Sequence, residues 1–140
     1  MGHYSKVNLE DVPDRTQSDK EPAVKTLGYE LRAAGEPRPE KMRYNYFLYQ
    51  PGQAVRRHTQ INQEELFFVV EGKGCLEIGN EEVALRAGDT LVVEPGPWRR
   101  LIAETEMRVF AVGAPNLPDD VIFEDELESV DDLPEGVPEP

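Results

Sequence analysis

The sequence predicts an all-β domain, a sandwich or a closed barrel, between about residue 41 and residue 115. Two observations carry this. Eight short runs rich in β-branched and aromatic residues follow one another at 43–50, 54–58, 65–71, 74–78, 82–86, 90–94, 98–103 and 107–113, and helical periodicity is almost absent. Turn residues separate the runs: Pro51-Gly52, Gly72-Lys73, Gly79-Asn80, Gly88-Asp89 and Pro95-Gly96-Pro97. Many short strands broken this way close into two stacked sheets or a barrel rather than a helical bundle. With 140 residues, of which 39% are hydrophobic, the chain can bury one modest core and reads as one domain.

Residues 1–40 form an irregular N-terminal arm, polar and punctuated by Pro13, Pro22, Pro37 and Pro39. Within it, the apolar residues of 24–34 fit neither the period of a strand nor that of a helix, so a mixed element is expected. In the run at 43–50, Tyr44 and Tyr46 share one face and Tyr49 takes the other. In 65–71, Glu65, Phe67 and Val69 alternate with Leu66, Phe68 and Val70. Both faces are apolar past Glu65, the pattern of a strand covered on each side. The Gly79-Asn80 pair suits a two-residue hairpin, because both residues tolerate positive φ. Cys75, the one cysteine, lies in an apolar run and reads as a packed core thiol. Trp98 alternates to the face opposite Arg99 and is expected in the core or an interface.

Residues 116–140 form an acidic C-terminal tail. They hold ten of the acids and no lysine or arginine, so that a net charge of −13 shrinks to −3 over residues 1–115. Val121-Ile122-Phe123 could dock as an edge strand. Past Glu124 little order is expected, since repulsion and scarce apolar surface do not offset the entropy of ordering. The negative field argues against nucleic acid or an anionic membrane as partner. No apolar run approaches the ~18 residues of a membrane span, and the N-terminus lacks the apolar stretch of a signal peptide, so a cytoplasmic location is expected.

The stretch from Gly52 to Gly72 carries the most information. A glycine, five residues, His58, one residue, Gln60, four residues, Glu65, six residues and a glycine resemble the first signature of the cupin family. A second signature follows from Gly88-Asp89 through Glu94-Pro95-Gly96-Pro97-Trp98 to Arg99. The resemblance implies a cupin-type jelly roll, the double-stranded β-helix barrel. It implies a homodimer paired through exchanged edge strands, and it places His58, Gln60, Glu65 and Arg99 in the barrel mouth. Two departures matter. Gln60 stands where metal-binding members have a second histidine, and Arg99 where they have a third.

Three uses of that mouth stay open. A divalent transition metal would have to sit on His58, Gln60 and Glu65, with a weak amide oxygen as its third ligand. A guanidinium about 4 Å from a dication opposes it by roughly 8 kcal/mol at an effective dielectric of ~20, so no bound metal is the favoured expectation. Arg99 paired with Glu65 could replace the metal as a staple between the two signatures. Alternatively Arg99, with Arg56 and His58, could grip a carboxylate or phosphate; alternation along the strand puts Arg56, His58 and Gln60 on one side. The combined expectation is a non-metal binder of an anionic or sugar-like metabolite, or a vestigial pocket. The alternative is a cupin enzyme, either a metal-dependent dioxygenase or an isomerase. No catalytic residue is assigned.

Overall fold

The computed structural model describes residues 3–34 and 40–140; Pro37 and Pro39 of the arm lie outside the described residues. Among the described residues, ten strands form two five-stranded antiparallel sheets. The first sheet runs β1 (Ala23–Lys25), β2 (Arg43–Tyr49), β9 (Met107–Ala114), β4 (Glu64–Glu71), β7 (Thr90–Val93). The second runs β10 (Val121–Phe123), β3 (His58–Gln60), β8 (Arg99–Ala103), β5 (Lys73–Ile78), β6 (Glu81–Arg86). Sequence neighbours thus often lie in opposite sheets, as in a jelly roll, and the inner faces of both enclose one core. No helix among the described residues is long and apolar enough to cross a membrane.

Two-residue alternation builds that core. Phe67 and Val69 of β4, Met107, Val109 and Ala111 of β9, and Val93 of β7 meet Leu76 of β5, Leu85 of β6 and Leu101 of β8. Burying each large aliphatic side chain of this kind contributes about 1.5–3 kcal/mol. The β5–β6 hairpin turns at Gly79-Asn80, with Gly79 at φ 55°. Gly113 faces inward on β9, where a Cβ would collide with the Gln63 amide, so only glycine leaves that side chain its place.

Several expectations need correction. The arm segment at 24–34 divides into β1 and a helix, α1 (Leu27–Ala33), which packs on β2 beside Tyr44. Its mixed pattern reflects two short elements placed end to end. The run 54–58 is not a strand until His58: Ala54 forms an isolated bridge to Ile102, and its amide bonds the arm at Lys20 O. Cys75 is half-buried on the outer face of β5, because alternation gives the inner positions to Gly74 and Leu76. The outer face of β4 is only partly covered, with Phe68 and Val70 exposed beside Val92 of β7.

The acidic segment holds β10, which pairs with β3, and 3-10 turns at Glu124–Glu126 and Val130–Asp132. Past them, Pro138 accepts a 2.7 Å hydrogen bond from the indole of buried Trp98. These residues therefore form a strap along one edge of the second sheet.

Candidate functional site

The two sheets leave a cavity of about 360 Å³ at one end of the barrel. β2 lines it with Arg43, Asn45, Phe47 and Tyr49, β3 with His58 and Gln60, β4 with Glu65 and Phe67, β8 with Arg99 and Leu101, and β10 with Val121 and Phe123. The placement follows from period-two alternation on five strands that converge at the mouth.

Arg99 is the anchor of this site. It is 0% exposed, and its strand pairs it directly with His58 across β8 and β3. Its Nη1 donates to Glu65 Oε1 at 3.2 Å, its Nη2 to the Glu94 carbonyl at 2.8 Å and its Nε to the Pro97 carbonyl at 3.1 Å. Each arm of the guanidinium is therefore occupied. The pairing with Glu65 is a single bond and not a two-point fork, because the 94–97 loop takes the other donors. Burial lowers the Arg99 pKa and the Glu65 carboxylate opposes that shift. Since Arg99 sits in one sheet and Glu65 in the other, this bond ties the two layers together. Arg100, one residue on, points outward and forms a two-point pair with Glu77 on β5.

Glu65 is 5% exposed and has a second cation beside it: Arg43 Nη2 lies 3.5 Å from its Oε2 and donates to Gln63 Oε1 at 2.8 Å. Tyr49, buried next to Glu65, has its phenol pKa raised far above the ordinary value by burial and then by the Glu65 charge. It stays a protonated donor. Arg43, Asn45, Tyr49 and Phe123 were not assigned to the site from sequence. The signal was present: β2 alternates Tyr44, Tyr46 and Leu48 against a mixed polar and aromatic face of Arg43, Asn45, Phe47 and Tyr49.

Arg56 also lines the cavity, but its guanidinium is engaged at the rim. Lacking a regular strand at 54–57, it sits at the cavity rim. Its Nε donates to Asp125 Oδ2 at 2.9 Å, its Nη2 also bonds Asp125 and lies 2.9 Å from Glu126, and its guanidinium stacks 3.9 Å from the Phe123 ring centroid. Arg57 pairs with Glu124 at 3.2 Å. The strap's carboxylates thus occupy both rim arginines.

His58 Nδ1 lies 2.8 Å from the Arg56 carbonyl, and its ring sits 5.9 Å from that of Phe123. A carbonyl can only accept, so Nδ1 carries the proton and Nε2 keeps its lone pair. Burial lowers the His58 pKa, partly countered by Glu65 and by the bond to Arg56, while Arg99 and Arg43 lower it further. The imidazole is neutral at pH 7. Because its pKa is lower in the folded chain, the unfolded chain takes up a proton first as pH falls below the ordinary imidazole value of ~6.5. Stability is therefore expected to drop from pH 7 toward the folded pKa by at most about 1.4 kcal/mol per pH unit. Urea titrations across pH 5–7 of wild type and His58→Gln check this, with the variant losing that slope.

Gln60 is 1% exposed on the same strand face, and its Oε1 makes no hydrogen bond among the described residues. Behind it, Thr59 bonds the Gly96 carbonyl at 2.7 Å and the Gly96 amide bonds the Gln60 carbonyl, fixing β3 against the second signature. On this strand, His58 Nε2 keeps its lone pair, while Gln60 Oε1 is closed off from solvent with no donor among the described residues.

Comparison with known proteins agrees with the architecture. Residues 45–113 match the family model described as a cupin domain. No curated protein sequence matches the chain. Among solved structures, Streptomyces PAC13 with uridine is similar at a TM-score of 0.66 and 16% identity, over 84% of this chain and 88% of that one. KdgF from Halomonas sp. is similar at 0.66 and 15% identity, over 85% of this chain and 98% of the other. A double-stranded β-helix protein from Klebsiella pneumoniae gives 0.61 and 20%, over 77% and 88%. At these identities the likeness is one of fold.

Proposed function

Residues 45–113 form a cupin domain, and from that premise we propose that the protein binds a small anionic or sugar-like molecule in the barrel mouth without a metal. The observation that supports this is the buried Arg99 guanidinium on Glu65. The ligand set a metal would need here is His58, Gln60 and Glu65. Of these, the one carboxylate already has Arg99 on Oε1 and Arg43 beside Oε2. Two guanidiniums around the single anionic donor repel a dication and fill the side on which it would bind. The residues present do not fit a catalytic metal. They do fit a walled cavity with apolar and polar sides, the ordinary character of a small-molecule site.

Elemental analysis of purified protein tests this. Iron, manganese, nickel and zinc are expected well below one per chain, and Arg99→His is expected to raise metal uptake by supplying an imidazole where a cation stood. One metal per chain in the wild type, lost in Glu65→Ala, would overturn the reading. A second reading, a metal-independent cupin enzyme such as an isomerase, is favoured by one observation: the neutral His58 keeps a free lone pair in the same cavity as the Tyr49 phenol. That places a base beside a hydrogen-bond donor. The similar PAC13 is described as a nucleoside dehydratase and was solved with uridine, which supports a small polar ligand for a barrel of this shape.

A further inference from the structure

We propose that residues 121–140 are a lid on the barrel mouth, hinged at Asp120 and latched by Arg56, which opens and closes while the barrel stays folded. Such a lid governs access to the cavity, whatever molecule enters it.

Asp120 marks a sharp change in how the chain is held. It is buried, its carboxylate accepts from Asn62 N, Asn62 Nδ2 and Gln63 N, and its carbonyl accepts from Ile61 N. From Val121 to Pro140 no residue is buried. A segment that places no side chain in the core opens locally at a small fraction of the cost of unfolding. Its eight acids, with no lysine or arginine among them, add self-repulsion and no internal ion pair.

One guanidinium does most to close it. Arg56 forks onto Asp125, reaches Glu126 at 2.9 Å and stacks 3.9 Å from the Phe123 ring centroid, so three strap residues share it. Arg57 adds Glu124 at 3.2 Å, and the Glu124 amide donates to the Arg57 carbonyl at 3.0 Å. At the far end, the bond from the Trp98 indole to the Pro138 carbonyl acts as a clasp. The carboxylates of Asp125 and Glu126 are exposed, and ion pairs of that kind are each weak enough to break and re-form.

The closed lid covers the mouth through its register with β3. Val121 stands opposite Gln60, Ile122 opposite Thr59 and Phe123 opposite His58. Val121 and Phe123 line the cavity, with the Phe123 ring 5.9 Å from the imidazole. Once the lid is away, one wall of the mouth is gone and β3 becomes an edge strand. β3 keeps its footing through the pairing of His58 with Arg99 on β8 and the Thr59 bond to the Gly96 carbonyl. The Arg99–Glu65 tie between the sheets involves no strap residue. The barrel therefore outlasts the opening.

Native-state hydrogen exchange of the intact protein, followed by mass spectrometry at low urea, tests the hinge. Amides of residues 121–127 are expected to exchange about a hundredfold faster than those of β8 and β9, at a rate independent of urea. Arg56→Gln should speed exchange in that segment about tenfold and leave β8 and β9 unchanged. The covering role is read at His58, whose modification by diethyl pyrocarbonate should quicken by a similar factor in the same variant. A lock supplies the converse. Arg57→Cys with Glu124→Cys, made together with Cys75→Ser, sets two thiols opposite each other next to the His58–Phe123 pair. Oxidised, it should slow both strap exchange and His58 modification severalfold, and dithiothreitol should restore both. Exchange of 121–127 with the same urea dependence as β8 and β9 would overturn the proposal, since the strap would then unfold only with the barrel. His58 modification at one rate with the lock closed and open would overturn it as well, because the strap would then move without covering the mouth.

Discussion

Arg99→Ala is expected to be the most damaging single substitution in the chain, costing about 3–5 kcal/mol. The reason is the group left behind more than the one removed. Glu65 is 5% exposed and would keep only Arg43, at 3.5 Å, as a cationic partner. The carbonyls of Glu94 and Pro97 would also lose their donors. For a chain of this size, that loss corresponds to roughly 10–20 °C in thermal midpoint, readable by calorimetry or circular dichroism. Glu65→Ala should cost a similar amount by stranding the arginine. The double change Arg99→Met with Glu65→Leu should recover most of the stability, since an apolar pair avoids the desolvation of two ions. Additive losses from the two single changes to alanine would show that the pair is not the tie between the sheets.

Asp120→Ala comes next, with an expected cost of about 2–4 kcal/mol. The Asp120 carboxylate is 5% exposed and accepts from Asn62 N at 2.9 Å, Asn62 Nδ2 at 3.2 Å and Gln63 N at 2.8 Å. Its backbone carbonyl also accepts from Ile61 N. Removing the side chain leaves two backbone donors of the β3–β4 turn without partners. The turn then holds Gln63 less firmly, and Gln63 in turn positions Arg43 through a 2.8 Å bond. Asp120→Asn, which keeps an acceptor for one donor, should lose about half as much. Chemical denaturation of both variants, with amide hydrogen exchange at Asn62 and Gln63, checks the assignment. Unchanged exchange at those amides would show that Asp120 does not fix the turn.

Much of the barrel was legible in the sequence because period-two alternation and turn chemistry are local. The Gly79-Asn80 turn, the inward set of Glu65, Phe67 and Val69, and the outward Arg100 all follow from neighbours along the chain. The inward Arg99 and its proximity to Glu65 came from the spacing that resembles the cupin signatures. What escaped depends on segments distant in sequence. Arg56 lines the cavity beside His58, yet nothing local announces that regular pairing begins only at His58 or that its guanidinium is held at the rim. Its actual partners, Asp125 and Glu126, lie about seventy residues on. Likewise α1 and β1 were merged because each is too short to display its own period. Arg43 and Asn45 were missed because polar residues at the start of a strand look like solvent-facing ones until the opposite sheet is in place.

The strap gives the barrel a doorway with its own chemistry. Asp125, Glu126 and Glu124 hold the two rim arginines by exposed ion pairs, which are individually weak and fade as ionic strength rises. That threshold carries three carboxylates against two guanidiniums, so its own field is slightly negative. Salt can loosen those outer pairs without disturbing the buried bond that holds the layers together.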